Sequence, residues 1–94
     1  MDSPALRDLL DSTHHFPGPF VFKAVGRAEG EFATTVVSVV RDTLAHDFDS
    51  PFETRQTPTG RHVSVTISPW VESPDDVLRV YARIREIPEL VFLL

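Results

Sequence analysis

A chain of 94 residues, 41% hydrophobic and 24% charged, fits one globular domain and leaves no room for two. It has no cysteine, which excludes disulfides, zinc–thiolate sites and thiol catalysis. Its formal charge is −5 with scattered basic residues, which argues against nucleic acid, and no apolar run approaches the roughly 20 residues of a membrane span.

The opening, Met1 to Asp8, lacks the basic start and apolar centre of a signal peptide, so a cytoplasmic protein is expected. Residues 3–12 read as a short helix, with Ser3 as cap, Pro4 at the first helical position and Leu6, Leu9 and Leu10 in one apolar stripe. Alone it is too short to be stable, so it must dock or fray. Pro17, Gly18 and Pro19 then block regular structure. Residues 1–15 are taken as a helical extension and 16–94 as the domain proper.

Residues 20–25 predict a strand, with Phe20, Phe22 and Ala24 on one face and Val21, Lys23 and Val25 on the other. Gly26 ends it and Arg27 to Gly30 connect onward. Residues 31–45 follow helical spacing through Phe32, Val36, Val39, Val40 and Thr43. Their valines leave a strand over Thr34–Val40 as a competitor, and length favours the helix. Phe52 to Thr57 is a weak strand whose Glu53, Arg55 and flanking prolines suit a sheet edge. A turn at Pro58–Arg61 leads into the cleanest strand, 62–68. There Val63, Val65 and Ile67 face inward, and His62, Ser64, Thr66 and Ser68 face outward.

Trp70, after Pro69, is expected to lie as a lid on the core; partial exposure would instead mark a contact surface. Ser73 caps a second long helix, with Pro74 first and Asp76 placed for a capping box. Val77, Val80, Tyr81 and Ile84 form its stripe, and Pro88 stops it. Glu89 to Leu94 is the last strand, with Leu90, Phe92 and Leu94 expected inward and Val91 and Leu93 outward.

The order strand–helix–strand–strand–helix–strand predicts an α+β, ferredoxin-like βαββαβ sandwich. Its antiparallel sheet has the order 4-1-3-2, with both helices on one face. The outer face would then carry an apolar patch of Val21, Val25, Val91 and Leu93 around Lys23, which a face open to water should not have. Either the N-terminal helix covers it or another subunit does, so a homodimer or a protein partner is expected through this face.

The segment Phe16-Pro17-Gly18-Pro19-Phe20-Val21-Phe22-Lys23-Ala24-Val25-Gly26 resembles the opening of the YbeD-like family, small bacterial domains of unknown function. In that family a Phe-Pro-x-Pro-Phe segment leads into a strand ending near Lys-x-x-Gly. Gly60-Arg61-His62-Val63-Ser64-Val65 is similar to the family's Gly-x-Tyr-x-Ser-Val stretch, with His62 where Tyr is usual. The last helix, with Tyr81, and the last strand are alike in length. The resemblance implies a ferredoxin-like fold similar to regulatory ACT domains. By analogy it implies an oligomeric, non-enzymatic module that senses a small metabolite or binds a partner, without a cofactor. In ACT-like domains effectors sit between the first strand–helix loop and a neighbouring subunit. The equivalent positions here are Gly26, Arg27, Glu29 and Gly30, where Arg27 could take a carboxylate and the glycines could simply be turn residues.

Two other activities found on this fold fit poorly. Gly26 to Phe32 faintly resembles the acylphosphatase phosphate loop, but Ala33 stands where that enzyme needs Arg, and the chain has no Asn. RNA-recognition domains stack bases on aromatics of the central strands, where here His62 alone could stack. The four histidines, His14, His15, His46 and His62, do not suggest a shared metal site. Asp47 with Asp49, and Asp75 with Asp76, read as loop and helix-start acids rather than catalytic pairs.

Overall fold

A computed structural model of the chain describes residues 4–94; the expected cap at Ser3 lies outside them. It is a small α+β fold with three helices and antiparallel sheets. The elements run α1 (Pro4–Thr13), β1 (Gly18–Pro19), β2 (Phe22–Arg27), α2 (Phe32–Thr43), β3 (Phe52–Gln56), β4 (His62–Ile67), β5 (Trp70–Val71), α3 (Pro74–Ile84) and β6 (Leu90–Leu93). Four strands form the main sheet in the order β3-β4-β2-β6, every neighbour antiparallel. The segment expected to be irregular at Gly18–Pro19 makes a small second ladder with β5.

Periodicity explains the core. Alternation puts Phe22 and Ala24 of β2, and Val65 and Ile67 of β4, on the face that α2 and α3 cover. Helical spacing turns Phe32, Val36, Val37 and Val40 of α2, and Val77, Val80 and Ile84 of α3, onto the same layer. Residues 34–40 are therefore helix, despite their β-branched content. Fourteen apolar residues make the core cluster, which is what a domain this small needs without disulfides. Rings converge at its centre. Phe22 lies 5.0 Å from both Phe20 and Tyr81, centroid to centroid.

Alternation fails in β6, and the register says why. Ala24 faces Leu93 and Val25 faces Phe92, but the next step on β2, Gly26, meets Leu90. Val91 is thus an extra residue, a β-bulge, and the bulge inverts the parity of everything after it. Leu93 packs against the core and Phe92 points out, the reverse of the expectation; Leu94 is exposed as well.

The helix ends differ from their sequence reading too. Ser73 sits extended at the N-cap of α3, but its side chain makes no capping bond. Asp76 Oδ2 instead accepts the amide of Glu72 at 3.0 Å, and its other oxygen pairs with Arg79, which also donates to the Thr43 carbonyl at the end of α2. Burial pushes the Asp76 carboxyl up. The Glu72 amide, Arg79 and His46 together outweigh that and hold it below its ordinary value. A depressed folded pKa stabilises the native state above the unfolded pKa and is lost as pH falls through the folded one. Asp76→Asn should therefore lower the melting temperature at neutral pH and abolish this part of the acid sensitivity below about pH 4. Thermal melts from pH 7 to 2 would check it. An unchanged acid limb would contradict the linkage.

α1 does not cover the sheet. It lies against α3, where Leu10 touches the core cluster and Arg7 pairs with Asp75 at 2.6 Å. Leu6 and Leu10 line a cleft of about 980 Å³ shared with Leu78, Tyr81, Ala82 and Arg85.

Candidate interaction surface on the open sheet face

Both long helices and α1 lie on one side of the main sheet, so among the described residues nothing covers the opposite face. The ladders place its side chains in rows. One row runs Glu53, Thr66, Lys23; the next runs Arg55, Ser64, Val25, Phe92; a third pairs His62 with Arg27. The apolar end is formed by Val25 and Phe92 in one row, with Val91 next to Phe92, while Val21 stands apart beyond Lys23 at the rim. Val21 is 59% exposed, Val91 56% and Phe92 52%. The polar end is a shallow depression of about 230 Å³ lined by Lys23, Glu53, Thr54, Arg55, Ser64 and Thr66.

The charges on this face run against the rest of the chain. Lys23, Arg27 and Arg55 stand on it against Glu53, with Glu89 at its margin, while the whole protein is at −5. Lys23 and Arg55 have no ion-pair partner among the described residues. Arg27 leans across the sheet end and donates to the Pro88 carbonyl at 3.2 Å. Contiguous apolar side chains ringed by unpaired charge mark surfaces that meet something.

Of the expected surface residues, Val21, Lys23, Val25 and Val91 are on this face or at its rim, and Leu93 is not. Phe92 takes its place. A run of apolar residues from Leu90 to Leu94 carries no alternation, so nothing in it could reveal the bulge. The expected ligand positions do not converge. Gly26 lies within β2 rather than ending it, and faces the helices. A Cβ there would sit 2.6 Å from ring carbons of Phe32, so the space above Gly26 belongs to the core. Arg27 projects from the opposite face. Glu29 and Gly30 are in the exposed loop, with Gly30 at φ +76° and no atom within 4 Å of its would-be Cβ.

Trp70 is no lid. It is half exposed and donates from Nε1 to Glu72 Oε2 at 3.0 Å, while its neighbours Pro69 and Val71 are buried instead. Among the described residues no group of three His, Asp or Glu could hold a metal ion, and no helix is long and apolar enough to cross a membrane.

Comparison with known proteins agrees with the sequence resemblance. A UPF0250 protein of Shewanella piezotolerans is 32% identical over 78 residues, covering 83% of this chain and 86% of that protein. The solution structure of protein HP0495 from H. pylori superimposes with a TM-score of 0.67 at 13% identity, covering 87% of this chain and 86% of the other. That likeness concerns the fold alone. Residues 11–94 match the family described as protein of unknown function DUF493. The chain therefore belongs to the DUF493 family, with which the YbeD-like resemblance is consistent.

Proposed function

We propose that this protein is a non-enzymatic, cytoplasmic binding module, a ferredoxin-like domain of residues 16–94 similar to regulatory ACT domains. It works by presenting the open face of its sheet to another polypeptide. The strand order β3-β4-β2-β6 with α2 and α3 on one side supports the ferredoxin-like reading. The observation that carries the function is the outward pairing of Val25 with Phe92 beside exposed Val91. One or two buried aromatic or aliphatic anchors supply most of the energy of a typical interface, and Phe92 has the position and size for that role.

The test is co-purification of the tagged native chain against a Val25→Asp/Phe92→Asp variant, with Thr34→Asp on the exposed face of α2 as control. Thr34 is exposed and should tolerate its change within about 0.5 kcal/mol, whereas Val25 is half-buried in β2 and Asp is disfavoured in strands, so the face variant is compared at a temperature where its own melt shows it folded. A polypeptide retained by the native chain and the control but lost from the face variant is expected. The same polypeptides on all three, with only a metabolite distinguishing them, would overturn the reading.

A further inference from the structure

The main sheet ends on two edge strands, β3 and β6, and they are not alike. β6 is four residues long and bulged at Val91, and a bulge blunts an edge. β3 is regular. All five of its residues, Phe52 to Gln56, are exposed, and its register with β4 runs without a shift. Pro51 and Pro58 flank the strand and no proline interrupts it. We infer that the free edge of β3 pairs antiparallel with β3 of a second copy of this chain, joining two sheets into one across a two-fold axis at Thr54. This goes beyond the reading of the open face, and either can fail alone.

The backbone has the parity for it. On the β4 side, the Thr57 amide donates to the His62 carbonyl at 2.9 Å and the Ser68 amide to the Pro51 carbonyl at 3.0 Å. Main-chain groups alternate sides along a strand. Those of Glu53 and Arg55 therefore point to β4, and those of Phe52, Thr54 and Gln56 point away from the sheet. Among the described residues no strand takes them. Setting Thr54 against Thr54 of the second copy places Phe52 opposite its Gln56, and Gln56 opposite its Phe52. All of these are hydrogen-bonded positions, so the pairing uses the very groups that the edge leaves over.

Charge selects both the register and the occupant. Glu53 and Arg55 project from β3 onto the open face, and neither has an ion-pair partner among the described residues. Charged side chains on an edge ordinarily turn a second strand away. With the axis at Thr54, however, Glu53 faces Arg55 of the second copy and Arg55 faces its Glu53. These are non-hydrogen-bonded positions, where cross-strand side chains lie closest. A slide of two residues keeps the backbone parity but opposes Glu53 to Glu53, or Arg55 to Arg55. Opposite charges set either side of a neutral centre are complementary to themselves, which is what a two-fold interface requires. The axis stands perpendicular to the sheet, so both open faces point the same way, and the polar depressions along the two β3 strands become one trough. Phe52, 46% exposed at the edge, is covered by the added strand.

Sedimentation equilibrium of the full chain should show a monomer–dimer equilibrium. Thr54→Pro removes the central outward amide and no bond to β4, so the fold should melt as before while the dimer is lost. Glu53→Arg and Arg55→Glu should each weaken self-association roughly tenfold or more, because each opposes like charges twice. A chain carrying Glu53→Arg mixed with one carrying Arg55→Glu should form a heterodimer, and both substitutions in one chain should restore the homodimer. If Thr54→Pro unfolds the protein, the charge exchange decides alone. A monomer at every concentration up to about 1 mM would overturn the inference. A dimer indifferent to Thr54→Pro and to the charge exchange would overturn the edge assignment. If Phe92→Asp dissolves that dimer instead, the copies meet through the open face, and the reading of that face stands without this one.

Discussion

Phe22→Ala is expected to be the most damaging single truncation in the chain, at about 3–5 kcal/mol. Phe22 is fully buried on β2, beneath both helices, and its ring meets Phe20 and Tyr81. Its loss leaves a cavity at the one place where the sheet and the aromatic cluster meet, and close-packed neighbours relax only partly into such a space. A domain of this size has about 5–15 kcal/mol in total, and each kcal/mol moves its melting temperature by about 4–8 °C. The informative partner is Phe92→Ala. With Phe92 half exposed on the outer face, its truncation should cost about 1 kcal/mol, well below that of Phe22. Had β6 kept regular alternation, Phe92 would be a core residue and the two truncations would cost alike. Paired thermal or urea melts therefore test the bulge at Val91 directly.

Gly26→Val is the second large effect, expected to cost about 1–3 kcal/mol by overpacking. Gly26 has no left-handed backbone requirement. Its constraint is the Phe32 ring, 2.6 Å from where a Cβ would stand, and Phe32 is itself buried at the start of α2, where close packing resists its displacement. Combining Gly26→Val with Phe32→Leu should recover part of the loss, since contacting sites are not additive. Gly30→Ala answers a different question. There the backbone is at φ +76° with open space around it, so a substitution costs only conformational strain, about 1–2 kcal/mol. Purely additive Gly26 and Phe32 effects in denaturant melts would show that the close approach is not what holds Gly26 in place.

These two residues also show where sequence reasoning reached and where it stopped. β2, α2, β4 and α3 were legible because each carries a clean period, two for the strands and 3.6 for the helices. β3 was legible as an edge from its prolines and charges. Position 26 was legible as glycine but not as a packing glycine, because its reason is a ring six residues away that only the folded chain brings back. Leu90 to Leu94 was legible as a strand and illegible in register, for want of a polar residue to mark a face. Leu6, Leu9 and Leu10 declared an apolar stripe without declaring what it meets. The structure turns Leu6 and Leu10 toward α3 and leaves Leu9 exposed, and among the described residues the outer sheet face they were candidates to cover stays open.

That open face is the centre of the functional account, and the absence of native cysteine makes it directly readable. Ser64→Cys places a thiol in its middle row, and Thr34→Cys places one on the solvent side of α2. The measurement is the rate of thiol labelling of each, in cells that make the protein and in dilute purified sample. Labelling at Ser64→Cys should be much slower in cells than in dilute solution, while Thr34→Cys reacts at the same rate in both. Equal rates for Ser64→Cys in the two settings would mean that nothing covers the face, and would contradict the account.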